Sequence, residues 1–167
     1  YQPKLHLRTG LMTRAEVLIR WNHPQRGLLA PGAFIPVAEH TGFIRNITDW
    51  VFDKALEQTR EWHDAGAPIH LAVNVSAKSL QEQNLPAKIH GLLDKWKVDS
   101  RFLKIEITES SIMADPNHAL EIISTLQSLG VRLSIDDFGT GYSSLVHLRP
   151  LPVAETKLDT PFFMLLT

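Results

Sequence analysis

An α/β domain built on a largely parallel sheet or barrel is what this 167-residue sequence predicts. After an opening hairpin, short apolar strands alternate with segments of helical spacing. Several of those strands carry a single acid or amide inside an otherwise apolar run. One of them ends in two adjacent carboxylates, Asp136 and Asp137, and runs directly into a loop punctuated by Gly139 and Gly141.

The bulk properties narrow the classes. At this length the chain buries a sizeable core and is most simply one domain or part of one. A net charge of −1 argues against a broad nucleic-acid or anionic-membrane surface. The absence of cysteine excludes disulfides, thiolate zinc sites and cysteine nucleophiles, and is compatible with a reducing compartment. No apolar run approaches a membrane span and the start is not a signal peptide, so a cytoplasmic location is expected. Strand-like residues begin at Tyr1, which raises the expectation of a further segment upstream.

In chain order, residues 1–7 and 11–21 read as two strands joined by Arg8-Thr9-Gly10, a hairpin signal. The second would carry Glu16, Leu18 and Arg20 on one face and Val17, Ile19 and Trp21 on the other. Residues 22–27 read as loop and 31–39 as a short helical turn. Residues 47–65 have helical spacing through Trp50, Val51, Lys54, Ala55, Gln58 and Trp62, and stop at Gly66. Strands follow at 69–75 and 102–108, separated by a helix over 79–96 interrupted early at Pro86. A helix over 115–129 opens on Asp115-Pro116 and closes at Gly130. The last elements are a strand at 131–136, a short helix at 143–148 and a strand at 153–159.

Placement of polar groups points to chemistry. Asn74 and Glu106 interrupt apolar strands, Asp136 ends the next, and Glu155, Lys157 and Asp159 share a face of the last. Apolar runs are normal for parallel strands covered on both sides; acids inside them are not. Singly, each acid reads as a satisfied salt bridge or a surface group. In register on consecutive strands, they must share a cation or pair with Lys157 and Arg20.

The donors Glu16, Asn74, Glu106, Asp136 and Asp137 all offer oxygen, which suits Mg²⁺ or Mn²⁺ and not zinc. Asp136 can bridge two ions with Asp137 serving the second, the two-metal arrangement for phosphate-ester cleavage. Adjacent strand residues diverge, so the strand must end or bend at Asp136-Asp137 for this to work. An Asp-rich turn capping a helix at Ser143 accounts for the stretch equally well. The eight histidines show no metal-binding spacing and read as surface or loop residues. With no GxxxxGK[ST] or GxGxxG pattern, nucleoside triphosphates and dinucleotide cofactors are poorly supported.

The motifs Tyr1-Gln2-Pro3-Lys4, Glu16-Val17-Leu18-Ile19-Arg20-Trp21, Phe34-Ile35-Pro36, Val73-Asn74-Val75-Ser76, Glu106-Ile107-Thr108-Glu109, the run from Asp136-Asp137-Phe138-Gly139 to Leu145, Leu151-Pro152-Val153 and Lys157-Leu158-Asp159 resemble, in order, the EAL-domain phosphodiesterases of bacterial cyclic di-GMP signalling. The resemblance spans essentially the whole chain. It implies a (βα)₈ TIM-like barrel with one antiparallel strand, of which about six strands lie in this chain, and metal-dependent hydrolysis of cyclic di-GMP to linear pGpG. By position it implies metal ligation by Glu16, Asn74, Glu106 and Asp136, and a second metal at Asp137. It places Lys157 at the catalytic water, Gln2 and Arg20 on substrate, and Glu109 steadying the Asp136-Asp137 loop.

The expected cofactor is thus Mg²⁺ or Mn²⁺, as two ions. Expected partners are cyclic di-GMP, fused sensory or GGDEF domains in the full-length protein, and a second copy as a homodimer, with no nucleic-acid polymer and no membrane contact by this domain. Val17 stands where the family usually has alanine and Thr156 where it often has leucine; one position off the inward-facing residues, both should point toward the covering helices. A whole barrel takes roughly 250 residues, so residues 1–167 are expected to be a domain cut short at its C-terminus and also at its N-terminus. The rival readings are a non-catalytic cyclic di-GMP receptor and a structural dimerisation module.

Overall fold

The computed structural model describes residues 1–5, 8–138 and 155–158, with side chains for all of these except 137–138 and 155–158. The strands β1 (Gln2–Leu5) and β2 (Met12–Val17) pair antiparallel, with Gln2 opposite Glu16 and Lys4 opposite Arg14. The expected second strand stops four residues early. After Val17 the chain leaves the sheet and makes a second, small hairpin of β3 (Trp21–His23) and β4 (Gly27–Leu29), in the stretch expected to be loop. Its turn is closed locally, with His23 Nδ1 accepting from the backbone N–H groups of Gln25 and Arg26 at 3.1 and 3.3 Å. Strands of three residues are too short to show a period, which is why alternation did not reveal them.

A 3₁₀ turn over Pro31–Ala33 leads into α1 (Ile35–Thr41) and the long α2 (Ile44–Asp64). Two βα units follow, β5 (His70–Val75) with α3 (Ala77–Leu80) and α4 (Leu85–Trp96), and β6 (Leu103–Thr108) with α5 (Glu109–Met113) and α6 (Pro116–Ser128); the last described strands are β7 (Arg132–Phe138) and β8 (Glu155–Leu158). The single helix expected at 79–96 is two. Pro86 stands in the first turn of the second, after Leu85, where its missing N–H has no intrahelical partner to lose. Asp115 caps α6 by accepting from the His118 N–H, as the Asp-Pro start predicts. Gly130 ends it at φ 85°, with Val131 N–H bonded to the Leu126 carbonyl and Gly130 N–H to Gln127. A Cβ at Gly130 would come within 2.6 Å of Ser100 Oγ.

The main sheet runs β1-β2-β5-β6-β7-β8, parallel at every pair but the first. Its βα succession and single antiparallel strand are those expected of part of the barrel. On the helix side, Leu71, Val73, Val75, Leu103, Ile105, Ile107, Leu133 and Ile135 meet Phe52, Leu56, Ile89, Leu93, Ile122, Ile123 and Leu126 in one core. The buried stripe of α2 is Ile44, Thr48, Val51, Phe52, Ala55, Leu56 and Thr59. Trp50, read as part of that stripe, is exposed. Nearby, Tyr1 donates its hydroxyl to the Lys54 carbonyl at 3.2 Å and meets Trp62 edge-on. Val17 is half-buried and packs against the core near Ile47 and Val51, on the helix side as expected. The expected helix at 143–148, the glycine loop from Gly139 and the apolar residues 162–166 lie outside the described residues.

Candidate functional site

Strand alternation assigns the other face of the sheet to the polar residues. When Leu71, Val73 and Val75 point at the helices, Asn74 points away; the same logic puts Lys104, Glu106 and Thr108 together on β6, and Arg132, Ser134 and Asp136 on β7. The parallel register sets Asn74 beside Glu106, Glu106 beside Ser134, and Thr108 beside Asp136. Two residues beyond Asn74 and Glu106, Ser76 and Thr108 each cap the helix that follows, accepting from the backbone N–H of Ser79 and Ser111. Each strand therefore passes straight from a site side chain into a capped helix, which fixes the carboxyl ends of β5 and β6.

The side chains meet at those ends. Asn74 Nδ2 donates to Glu16 Oε1 at 2.9 Å. Lys4 Nζ lies 2.8 Å from Glu16 Oε2 and 3.6 Å from Glu106 Oε1, and Lys104 Nζ is 3.2 Å from the same Glu106 oxygen. The Glu106 side chain is wholly buried and that of Glu16 is 17% exposed. A carboxylate out of water needs positive charge at hand, and two ammonium groups supply it. Among the described residues, no three carboxylate or imidazole groups already form a metal cluster. Glu16 and Glu106 are gathered around Lys4.

Asn74, Ser76, Glu106 and Thr108 border a cleft of about 400 Å³ closed on its other sides by Ile19, Pro36 and Val51 among others, a size that suits a small ligand. Asp136, half-buried, is on the adjoining strand. Glu109 is buried at the start of α5, which packs on β7, the strand that carries the Asp136-Asp137 pair it is expected to steady.

The backbone there meets the expected condition of a bend. Against β8, Ile135 pairs with Thr156 and Phe138 with Leu158, so three steps along β7 match two along β8. One extra residue at Asp136-Asp137 is a bulge, the irregularity that re-aims side chains beside active sites. The strand itself continues through Phe138, past the end expected at Asp136. Lys157 lies within β8; its side chain and that of Asp137 are outside the description.

The two residues expected to meet substrate are on β1 and just after β2. Gln2 is opposite Glu16 on β1, at the site's edge. Arg20 is exposed and donates to the neighbouring Ile19 carbonyl at 2.8 Å, lining an adjoining cleft with Trp21, His23 and Phe34. It pairs with none of the described acids; among the described residues the cations beside Glu16 and Glu106 are Lys4 and Lys104. Lys4 stands two residues after Gln2 and thus on the same face, which was the signal available for it. The histidines are not all surface residues either: half-buried His63 and His70 both stack near Phe102, and His118 Nε2 bonds to the Gln81 carbonyl at 3.0 Å.

Fold and site together define an α/β domain whose Glu16, Asn74 and Glu106 side chains gather at the carboxyl ends of parallel strands. The chain belongs to the EAL-domain family, whose model matches residues 1–167. It is 45% identical over 163 residues to the bifunctional diguanylate cyclase/cyclic di-GMP phosphodiesterase MucR of Pseudomonas aeruginosa, covering 97% of this chain and 24% of that one. It is 43% identical over 162 residues to the signaling protein YkoW of Bacillus subtilis, covering 97% and 20%. The chain thus spans about a fifth to a quarter of the length of these relatives. Among solved structures, it resembles the MucR phosphodiesterase in complex with c-di-GMP at TM-score 0.91 and 44% identity, covering 99% of this chain and 68% of that one. The FimX EAL domain of Pseudomonas aeruginosa bound to c-di-GMP gives 0.86 at 25% identity, covering 96% and 64%. Among the described residues no helix is long and apolar enough to cross a membrane.

Proposed function

We propose that this chain is part of the EAL domain of a cyclic di-GMP phosphodiesterase that opens its substrate to linear pGpG with Mg²⁺ or Mn²⁺. The observation that supports this most directly is the linked set of Glu16, Asn74 and Glu106 at the carboxyl ends of adjacent strands, beside a ligand-sized cleft. The donors fit a hard cation: all are oxygen, and Glu106 is a buried carboxylate that already demands positive charge. Glu16, Asn74, Glu106 and Asp136 would hold one ion and Asp137 a second. Divalent ions, when bound, supply an activated water and neutralise charge developing on the phosphate.

The chain's own groups do the rest. Asn74 holds Glu16 through its amide N–H, which leaves the amide oxygen of Asn74 as the ligand atom. Glu109 would hold the Asp136-Asp137 segment from beneath, and Lys157 would orient the water. Gln2 would meet substrate at the rim, and Arg20 would reach phosphate by turning from the Ile19 carbonyl. A homodimer and a cytoplasmic location belong to the same proposal, as do fused sensory or GGDEF domains, the sensory part being in keeping with a relative such as the oxygen sensor protein DosP of Escherichia coli. The test is turnover of cyclic di-GMP by the full-length protein with Mg²⁺ and with a chelator. Hydrolysis to pGpG only with the metal is the expected result; tight binding of the dinucleotide without turnover would replace the enzyme by a receptor.

A further inference from the structure

Both oxygens of Glu16 are engaged. Oε1 accepts from Asn74 Nδ2 at 2.9 Å, and Oε2 holds the Lys4 ammonium at 2.8 Å. The same ammonium is 3.6 Å from Glu106 Oε1, so Lys4 bridges the first two acids of the set from a strand that supplies no acid of its own. Its side chain is 34% exposed, on a flexible four-carbon stem with a path to water. Lys104 differs: it is 13% exposed, touches only the Glu106 side of the pair, and lies earlier on the same strand as Glu106. A divalent ion held by Glu16 and Glu106 would compete with the Lys4 charge for the same carboxylates. Like charges at such distances repel strongly in a partly buried site, so the two cannot both remain.

We propose that Lys4 is a tethered counter-ion for the metal site, holding Glu16 and Glu106 together before a divalent cation binds and swinging out to water when one does. This rests on the reading of the oxygen set as metal ligands. Lys4 is then a positioning residue: it keeps the carboxylates from repelling each other and sets the affinity for the ion by competing with it.

The test is calorimetric titration of Mn²⁺ into the full-length protein and into its Lys4→Met and Lys4→Gln variants, with melting temperatures in chelator and in saturating Mn²⁺. The swap predicts that Mn²⁺ binds both variants about tenfold more tightly than the parent. It also predicts that the variants melt earlier than the parent in chelator, and that saturating Mn²⁺ closes the gap. A purely structural lysine would give looser binding and a gap that Mn²⁺ does not close. Unchanged or weaker Mn²⁺ affinity in whichever variant folds overturns the proposal. Failure of the parent itself to bind Mn²⁺ overturns the metal reading along with it.

Discussion

Along β6 the residues alternate between two environments: Leu103, Ile105 and Ile107 sit in hydrocarbon under α4 and α6, while Lys104, Glu106 and Thr108 face the opposite side and are held by charge and hydrogen bonds. Ile105 and Glu106 are neighbours and equally hidden from water, yet burial does opposite things to them. It stabilises the isoleucine in proportion to the apolar area removed. It costs the carboxylate its hydration, a loss that Lys4 and Lys104 only offset. Residues of the first kind make the domain stand; residues of the second kind are tolerated at a cost to stability, which is why they point to function. The same division runs down the inner face, where Asn74, Glu106 and Asp136 occupy the carboxyl end and His70, Lys104 and Arg132 the amino end.

The comparison is most easily broken on the apolar side. Truncating Ile105 to alanine removes a fully buried side chain from the centre of the core, and should lower the free energy of unfolding by about 2–5 kcal/mol. Denaturant titration of the full-length protein would measure it, and molecules that remain folded should bind Mg²⁺ as before. A loss under about 1 kcal/mol would mean that this face is not the main source of stability.

A smaller effect tests the amino end of the polar face. His70 lies beside Phe102 with Nδ1 3.1 Å from the Arg101 carbonyl, and pairs across the sheet with Arg14. Burial pushes its pKa below the ordinary value; the bond to the Arg101 carbonyl pulls up, and Arg132, Arg14 and His63 push down again. The unfolded chain therefore takes up this proton first as pH falls. Stability should be full above about pH 6.5 and decline below it, over the window between the ordinary and the lowered value. His70 is partly solvated, so the slope is small. Unfolding curves collected between pH 7 and pH 5 should show His70→Gln flatter than the parent; parallel curves would remove His70 as the cause.

How much of this the sequence discloses follows from the same division. Asn74 and Glu106 stand out because each interrupts an apolar strand, so one position suffices to notice it. Gly130 and Asp115 are equally legible, since helix termini use local chemistry. Lys4 is not, because its partners lie on strands 12 and 102 residues away and only the hairpin register aims it at them. Trp50 misleads for a related reason: spacing shows that α2 has an apolar stripe, but which flank is covered depends on α4 and the sheet. The hairpin over residues 21–29 is held by one histidine and short pairings, signals that no periodicity carries.

The central claim is that Glu106 is buried for chemistry and not for stability. It is tested most directly by replacing Glu106 with glutamine in the full-length protein, and measuring Mg²⁺-dependent turnover of cyclic di-GMP alongside thermal unfolding. The swap keeps the shape of the side chain and removes its charge. Turnover should fall on the order of 10²-fold or more, while unfolding stays cooperative and the melting temperature falls only as far as loss of the Lys104 ammonium's carboxylate partner requires. A variant that keeps full turnover, or one that loses activity only because it no longer folds, would contradict the claim.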